Sequence, residues 1–424
     1  MDPVASQVNP PRGMRDFLPA DKARRERVLA VIRGSYRAHG FDEIETPVME
    51  DSDRLHAGLG GDNEKLAFGV MKRALSREDL QAAEQPLDLV DLGLRFDLTV
   101  PLARFYASHR AELPAVFRSI QIAPVWRAER PQKGRYRQFV QCDIDIIGEA
   151  GIVAEAELLT ATLATLDALG LEGATIRIND RRLLIGMLDG FGFAAAVHEP
   201  VLIVVDKLDK IGSDGVVAEL REKGFDAAAV DALDAFLRRP RTMEFTPFGE
   251  RAIRQALPEG ADDEVVARLA ELGDAVGVER LVFDPFLVRG MGYYTGPIFE
   301  VAHASVSYSL GGGGRYDGMI GRFLGTEVPA TGFSLGFERL VELVDVPGAE
   351  DADAVAIVYE RGTPLAELVR IQRELVADGA RVRLVARPRN LKPALDALTA
   401  EGFTRFALVD AANAAGPLEL RSLG

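Results

Sequence analysis

The sequence predicts an α+β protein in which an antiparallel sheet flanked by helices is interrupted by a helical insertion and followed by a small α/β domain. Three observations predict it. Two strand-like runs, Phe117–Ala128 and Arg137–Gly148, flank a short loop containing Pro131 and Gly134, as in a hairpin of antiparallel strands. Residues 195–275 change character, becoming rich in Ala, Asp, Glu and Leu, and read as helical. From residue 354 onward, short strands and helices alternate, the pattern of a parallel sheet.

Taken in order, residues 21–39 read as a helix whose apolar stripe contains Leu29, Ile32 and Tyr36 and which stops at Gly40. A strand, Asp42–Met49, follows; it carries Pro47, which places it at a sheet edge or a strand end because proline donates no hydrogen bond to a ladder. Residues 98–112 look helical. In the second hairpin strand, Phe139, Gln141, Asp143 and Asp145 share one face, and Val140, Cys142, Ile144 and Ile146 the other. Helices near 152–169 and 181–190 enclose a strand, Ala174–Asn179. After the insertion the chain returns to strands and glycine turns through LVRGMGYYTGPIFEV and YSLGGGGRYDGMIGRF, then runs from PATGFSLG into a helix. Residues 347–353 read as a linker. Beyond them come strand 354–359, helix 363–378, strand 381–385, helix 391–401 and strand 404–409.

Composition narrows the function. The 424 residues are 47% hydrophobic, enough for two or three domains. No apolar run is long enough for a membrane span, and the N-terminus has no apolar signal core. Cys142 is the only cysteine, which excludes an intrachain disulfide and fits a reducing cytoplasm. A net charge of -15 argues against a general nucleic-acid binder, yet residues 127–139 carry Arg127, Arg130, Lys133, Arg135 and Arg137 against Glu129 alone. No P-loop, HExxH motif or serine elbow occurs.

The hairpin carries the chemistry. Phosphate oxygens call for guanidinium forks, and an α-ammonium calls for carboxylate and amide acceptors. Arg127, Arg135 and Arg137 around the loop offer the first, and Gln141, Asp143 and Asp145 along the returning strand the second. Other segments are less decisive. Asp97 and Thr99 precede a helix, where a cap is as good an explanation as a ligand. Tyr293 and Tyr294 are explained equally well by packing. The glycines of GGGGRYDG fit either a tight turn or a close approach of backbone to ligand.

Together these segments resemble the histidyl-tRNA synthetases, class II aminoacyl-tRNA synthetases, over nearly the whole chain and in order. RGMRDFLP and FDEIETPVME look like the N-terminus and motif 1, ending at Pro47. WRAERPQKGRYRQF matches motif 2, and GFSLGFERL matches motif 3, with Arg339 as its arginine. LVRGMGYYTG and GGGGRYDG look like the two histidine signatures. The first departs from the usual RGLDYYTG by having Gly292.

The resemblance implies ATP-dependent ligation of histidine to its tRNA through histidyl-adenylate. It implies Arg127 and Arg289 as catalytic groups on the α-phosphate, Arg135 and Arg339 on the outer phosphates, and Phe139 beneath adenine. For histidine it implies Asp97, Leu98, Thr99, Gln141, Asp145, Tyr293, Tyr294 and Tyr316, with Asp145 and Tyr293 or Tyr294 reading the imidazole. Arg130, Gln132 and Lys133 would meet the tRNA acceptor end. Mg²⁺ would neutralise pyrophosphate without a protein-only metal site, and the enzyme would be a cytoplasmic homodimer. The implied domains are a catalytic core of residues 1–194 and 276–346, the insertion at 195–275, and an anticodon-binding-like domain at 353–424, about 70 residues and shorter than the family norm. Two non-charging paralogues resemble the same family: a histidine-biosynthesis regulatory subunit, and an enzyme that delivers activated histidine to another acceptor.

Overall fold

A computed structural model of the chain describes residues 8–56, 66–131, 134–239, 248–289, 292–346 and 353–423. The chain divides into two compact units, residues 1–16 with 28–345, and residues 17–27 with 346–424.

The larger unit is built on an eight-stranded sheet. Its strands lie in the order Asp42–Glu43, Phe117–Trp126, Gln138–Ile147, Ala330–Gly336, Gly311–Arg315, Pro297–Ala302, Thr175–Asp180 and Leu281–Phe283. The six inner strands pair antiparallel throughout, and only the two edge strands pair parallel. The hairpin at its centre is long and regular, with Trp126 opposite Gln138 and Phe117 opposite Ile147. Helices Pro19–Ala38 and Val153–Ala168 supply apolar cover. Val28, Ile32 and Tyr36 of the first are fully buried, as are Leu158, Leu159 and Leu166 of the second. Gly40, at φ +83°, ends the first helix in a backbone conformation that a side chain would strain.

The segment read as one strand, Asp42–Met49, is two. Asp42–Glu43 lies at the edge of the large sheet, whereas Met49–Asp51 joins a separate three-stranded sheet with Phe68–Met71 and Val90–Leu94. Pro47 lies between them and cannot donate to either ladder. The sequence reading did not anticipate this small sheet.

The described residues between 198 and 276 form helices His198–Val205, Leu208–Glu222, Ala227–Leu237, Glu250–Ala256 and Asp263–Val276. Their apolar faces are continuous with the core beneath the cleft, since Val201, Val204, Leu220 and Leu233 cluster with Met187, Phe286, Tyr293, Tyr294 and Met319.

In the smaller unit, Arg381–Ala386, Ala354–Tyr359 and Arg405–Val409 pair parallel, as the alternation predicts. An antiparallel strand, Arg421–Ser422, adds to Arg405–Val409 and was not anticipated. Alternate residues of the central strand feed two cores, Val355 and Ile357 on one face and Ala354, Ala356 and Val358 on the other.

Candidate active site

The inner strands of the large sheet form the floor of a cleft of about 470 Å³. Residues directly opposed across the strands share a face, and the central members of two such rows, Gly312, Ser334 and Asp143 in one and Gly314, Gly332 and Asp145 in the other, line the floor. In full, the first row runs Arg177, Glu300, Gly312, Ser334, Asp143, Gln121; the second runs Ile298, Gly314, Gly332, Asp145, Ser119. GGGGRYDG is thus the strand Gly311–Arg315 leading into a helix, and its glycines are needed for close approach. A Cβ on Gly312 would stand 2.7 Å from Arg289 Cζ, and one on Gly314 would stand 2.9 Å from a Tyr294 ring carbon. On the neighbouring strand, a Cβ on Gly332 would meet Asp145 Oδ1 at 1.9 Å.

Carboxylates gather at one end. Asp97, Asp143 and Asp145 are each at most 5% exposed. Asp97 Oδ1 accepts the Val100 N–H at 3.2 Å, so the residue does cap its helix, while Oδ2 is buried with no donor from the protein. Burial pushes the Asp97 carboxyl up to about 6, against the opposing pull of the Val100 N–H and Arg127. Burial pushes Asp145 up to about 7, although Tyr316 donates its hydroxyl to Oδ1 at 2.6 Å. Asp143 is held well above the ordinary range, first by burial and then by the neighbouring Asp145. Gln141 Nε2 donates to Ser334 Oγ at 3.1 Å. Gln141 Oε1 and Asp143 Oδ1, like Asp97 Oδ2, meet no donor within the protein. Three buried acceptors facing one cleft without donors form a receptor for N–H groups.

Cations line the rest. Arg127 donates from Nε to the Phe96 carbonyl at 2.9 Å, which fixes its stem, and its Cζ lies 5.1 Å from the Phe139 ring centre. Arg289 Nη1 donates to Glu300 Oε2 at 3.0 Å. Arg339 donates to the Ser309 carbonyl and lies 5.2 Å from the Tyr308 ring centre. Arg135 is exposed, 3.5 Å from Glu129. Glu338, also at the cleft, takes the Val140 N–H at 3.3 Å and pairs with Arg15 of the RGMRDFLP segment, which ties the N-terminal segment and the two arginine-bearing segments together.

The cleft therefore unites Asp97, Thr99, Arg127, Arg135, Phe139, Gln141, Asp145, Arg289, Tyr293, Tyr294, Tyr316 and Arg339. Leu98 is different: its side chain is buried outside the cleft lining, and its carbonyl accepts Gln121 Nε2 at 3.0 Å. The hydroxyl on Asp145 belongs to Tyr316, while Tyr293 and Tyr294 pack against each other with ring centres 4.8 Å apart and planes tilted by 55°. Arg130 is exposed and away from the cleft lining, and Gln132 and Lys133 lie outside the described residues. Arg137 is structural, donating to the Glu129 carbonyl at 3.0 Å. In the smaller unit Arg383 and Arg387 are engaged by Glu401 and Glu360. Sequence reasoning did not single out Glu300, Ser334 or Asp206; the first two are found only through cross-strand register, and Asp206 comes from the insertion. Among the described residues no cluster of three metal-ligating side chains occurs.

Comparison with known proteins shows the family. The family model for histidyl-tRNA synthetase matches residues 13–340. The histidine–tRNA ligase of Leifsonia xyli subsp. xyli is 61% identical over 430 residues, covering 99% of each chain. That of Aeropyrum pernix is 39% identical over 345 residues, covering 80% of this chain and 74% of its own. The crystal structure of the histidyl-tRNA synthetase from Nostoc sp. PCC 7120 superposes with a TM-score of 0.76 at 26% identity, covering 98% of this chain and 95% of that one. The sheet is that of a class II aminoacyl-tRNA synthetase. Within that class, the chain belongs to the histidyl-tRNA synthetase family.

Proposed function

We propose that this chain ligates histidine to its tRNA at the expense of ATP, through histidyl-adenylate formed in the cleft. The observation that carries the reading is the juxtaposition of donor-free buried acceptors on Asp97, Gln141 and Asp143 with Arg127, Arg289 and Arg339 in one cleft. An amino acid brings an ammonium to the first group and its carboxylate toward the second, where a nucleotide's phosphates would lie. The high identity to a histidine–tRNA ligase along the full length favours charging over the two non-charging alternatives.

In this reading the histidine carboxylate attacks the α-phosphorus in line and pyrophosphate leaves. Arg127 and Arg289 stabilise charge on the α-phosphate, and Arg135 and Arg339 hold the outer phosphates while Phe139 supports adenine. Because no protein atom changes its bonding, the acceleration comes from positioning and preset charge. Asp97, Thr99 and Gln141 take the ammonium, joined by Asp143. Asp145, aligned by Tyr316, accepts the imidazole N–H, with Tyr293 and Tyr294 closing the pocket. A side chain without a ring N–H would leave Asp145 with the Tyr316 hydroxyl alone and no donor from the ligand, which is the basis for rejecting it. Mg²⁺ would arrive with the nucleotide and neutralise the pyrophosphate, and Asp206 and Glu129 are the cleft carboxylates that would hold it.

The same reading places the anticodon contact in residues 353–424, the acceptor-end contact at Arg130, Gln132 and Lys133, and the two halves of the catalytic core in residues 1–194 and 276–346, around the insertion at 195–275. It also makes the enzyme a cytoplasmic homodimer. Val48, Met49, Met71 and Leu92 on and beside the small sheet are exposed apolar side chains of the kind a two-fold interface buries. No helix among the described residues is long and apolar enough to cross a membrane. ATP–pyrophosphate exchange measured with each amino acid tests the reading: exchange should require histidine, and exchange driven equally by another amino acid would overturn it.

A further inference from the structure

Glu300 touches no part of the cleft that the proposed reading gives to a substrate, yet it is central to how the cleft's arginine is held. On its strand it stands directly between Arg177 on one neighbour and Gly312 on the other. Its Oε2 accepts Arg289 Nη1 at 3.0 Å, and its Oε1 accepts Arg177 Nη1 at 2.9 Å. One carboxylate thus spans two guanidiniums. Arg289 lies where the side chain of Gly312 would be, within 2.7 Å of a Cβ built there, so the row of opposed side chains continues across Gly312 through the guanidinium itself. At its outer end the row is anchored again: Arg177 Nη1 also donates to Asp209 Oδ2 at 3.1 Å, and its Nε donates to Asp284 Oδ2 at 2.8 Å. Asp209 is on the helix Leu208–Glu222 of the insertion.

We propose that Glu300 is a positioning residue for Arg289, and that Arg177 and Asp209 extend this control to the helical insertion, so that the seating of the insertion sets the aim of the arginine. The proposal rests on the assignment of Arg289 to the α-phosphate. A guanidinium carries its five N–H groups in a fixed planar fork. Glu300 at Nη1, together with the Tyr294 hydroxyl that the guanidinium also engages, fixes that plane, and the N–H groups that remain are those that would meet an oxyanion. Without Glu300 the long side chain regains its rotamers, and the fork is no longer preset for the reacting phosphate. Arg177 prevents Glu300 from swinging toward the ligand, because its second oxygen is already occupied. Asp209, 65% exposed, contributes the only insertion contact that Arg177 makes among the described ion pairs, and it is the point at which movement of those helices would reach the cleft.

The test compares Glu300→Gln, Asp209→Asn, their combination and Arg289→Ala in the full chain, using histidine-dependent ATP–pyrophosphate exchange. Glu300→Gln should lower kcat roughly ten- to a hundredfold while the histidine KM stays within about threefold, since misaim of a catalytic group affects the transition state and not ground-state binding. Asp209→Asn, at an exposed position where folding is not at stake, should lower the same parameter by a smaller factor. The double variant should lose no more than Glu300→Gln alone, because both act through one chain of contacts. Fully additive losses, an unchanged kcat in Asp209→Asn, or a kcat for folded Glu300→Gln within about twofold of wild type would overturn the positioning role. Should Arg289→Ala retain exchange, the assignment of Arg289 itself falls, and the proposal falls with it; loss in Arg289→Ala with no loss in Glu300→Gln removes the positioning role alone.

Discussion

Replacing Asp145 by Asn isolates the group assigned to the imidazole. The carboxylate is 5% exposed and accepts the Tyr316 hydroxyl at 2.6 Å; an amide oxygen can still take that hydrogen, so the pocket wall stays in place. What is lost is a charged acceptor for the ring N–H. Charge-assisted hydrogen bonds contribute about 1.5–3 kcal/mol, which at about 1.4 kcal/mol per tenfold raises the histidine KM roughly 10- to 150-fold. The ATP KM should stay within about threefold, because the phosphate contacts belong to other residues. Stability supplies a second, opposite signature. Burial lifts the Asp145 carboxyl from 3.8 to about 7, so the folded protein favours its neutral form. The stability belonging to that preference is fully present below 3.8 and is lost as pH rises through about 7, where the wild type carries a buried charge. Asn carries none. The melting temperature of Asp145→Asn relative to wild type should therefore rise between pH 5 and pH 8, by calorimetry or circular dichroism. An equal rise in both Michaelis constants, or a relative melting temperature that falls over that pH range, would refute the assignment.

Other outcomes follow from the same geometry. Arg289→Ala should remove adenylate formation while leaving the thermal melt intact, because charge stabilisation at a reacting phosphate contributes several kcal/mol; exchange within about tenfold of wild type would contradict this. Histidine binding should release protons to buffer near pH 6–7, since the free protein holds Asp97 and Asp145 partly protonated up to about 6 and about 7 and the bound ligand requires them ionised. Calorimetry in buffers of different ionisation enthalpy, with Asp145→Asn as the control for the imidazole's own titration, reads this directly; identical proton release in both proteins would refute it. Light scattering should return twice the 46.0 kDa chain mass at micromolar concentration, and a monomer would contradict the dimer. Arg130→Ala should raise the tRNA KM without altering exchange; an unchanged tRNA KM would remove Arg130 from the acceptor-end contact.

The hairpin was legible because its polar and apolar residues alternate strictly, so register alone puts Gln141, Asp143 and Asp145 together, opposite Ser334 and Gly332 on the next strand. The smaller unit was legible because each strand and helix is short and bounded by turn residues. The three-stranded sheet was not, because its strands, Met49–Asp51, Phe68–Met71 and Val90–Leu94, are brief and show no clear alternation. Asp97 illustrates another limit. Cap and ligand looked like rival explanations in sequence, yet one carboxylate oxygen does the first and leaves the second free. The glycine run fitted either a tight turn or a close approach to ligand; only the fold reveals that Arg289 and Tyr294 pack against it. Glu300 carried no signal of its own, since its importance lies in standing between residues 177 and 312.

The most direct test of the central claim is transfer of labelled histidine to tRNA by the purified full-length chain with ATP and Mg²⁺. The account predicts histidine-specific charging of histidine tRNA, abolished together with exchange in Arg289→Ala. Histidine-dependent exchange without any charging of that tRNA would contradict the account and point to another acceptor for the activated amino acid.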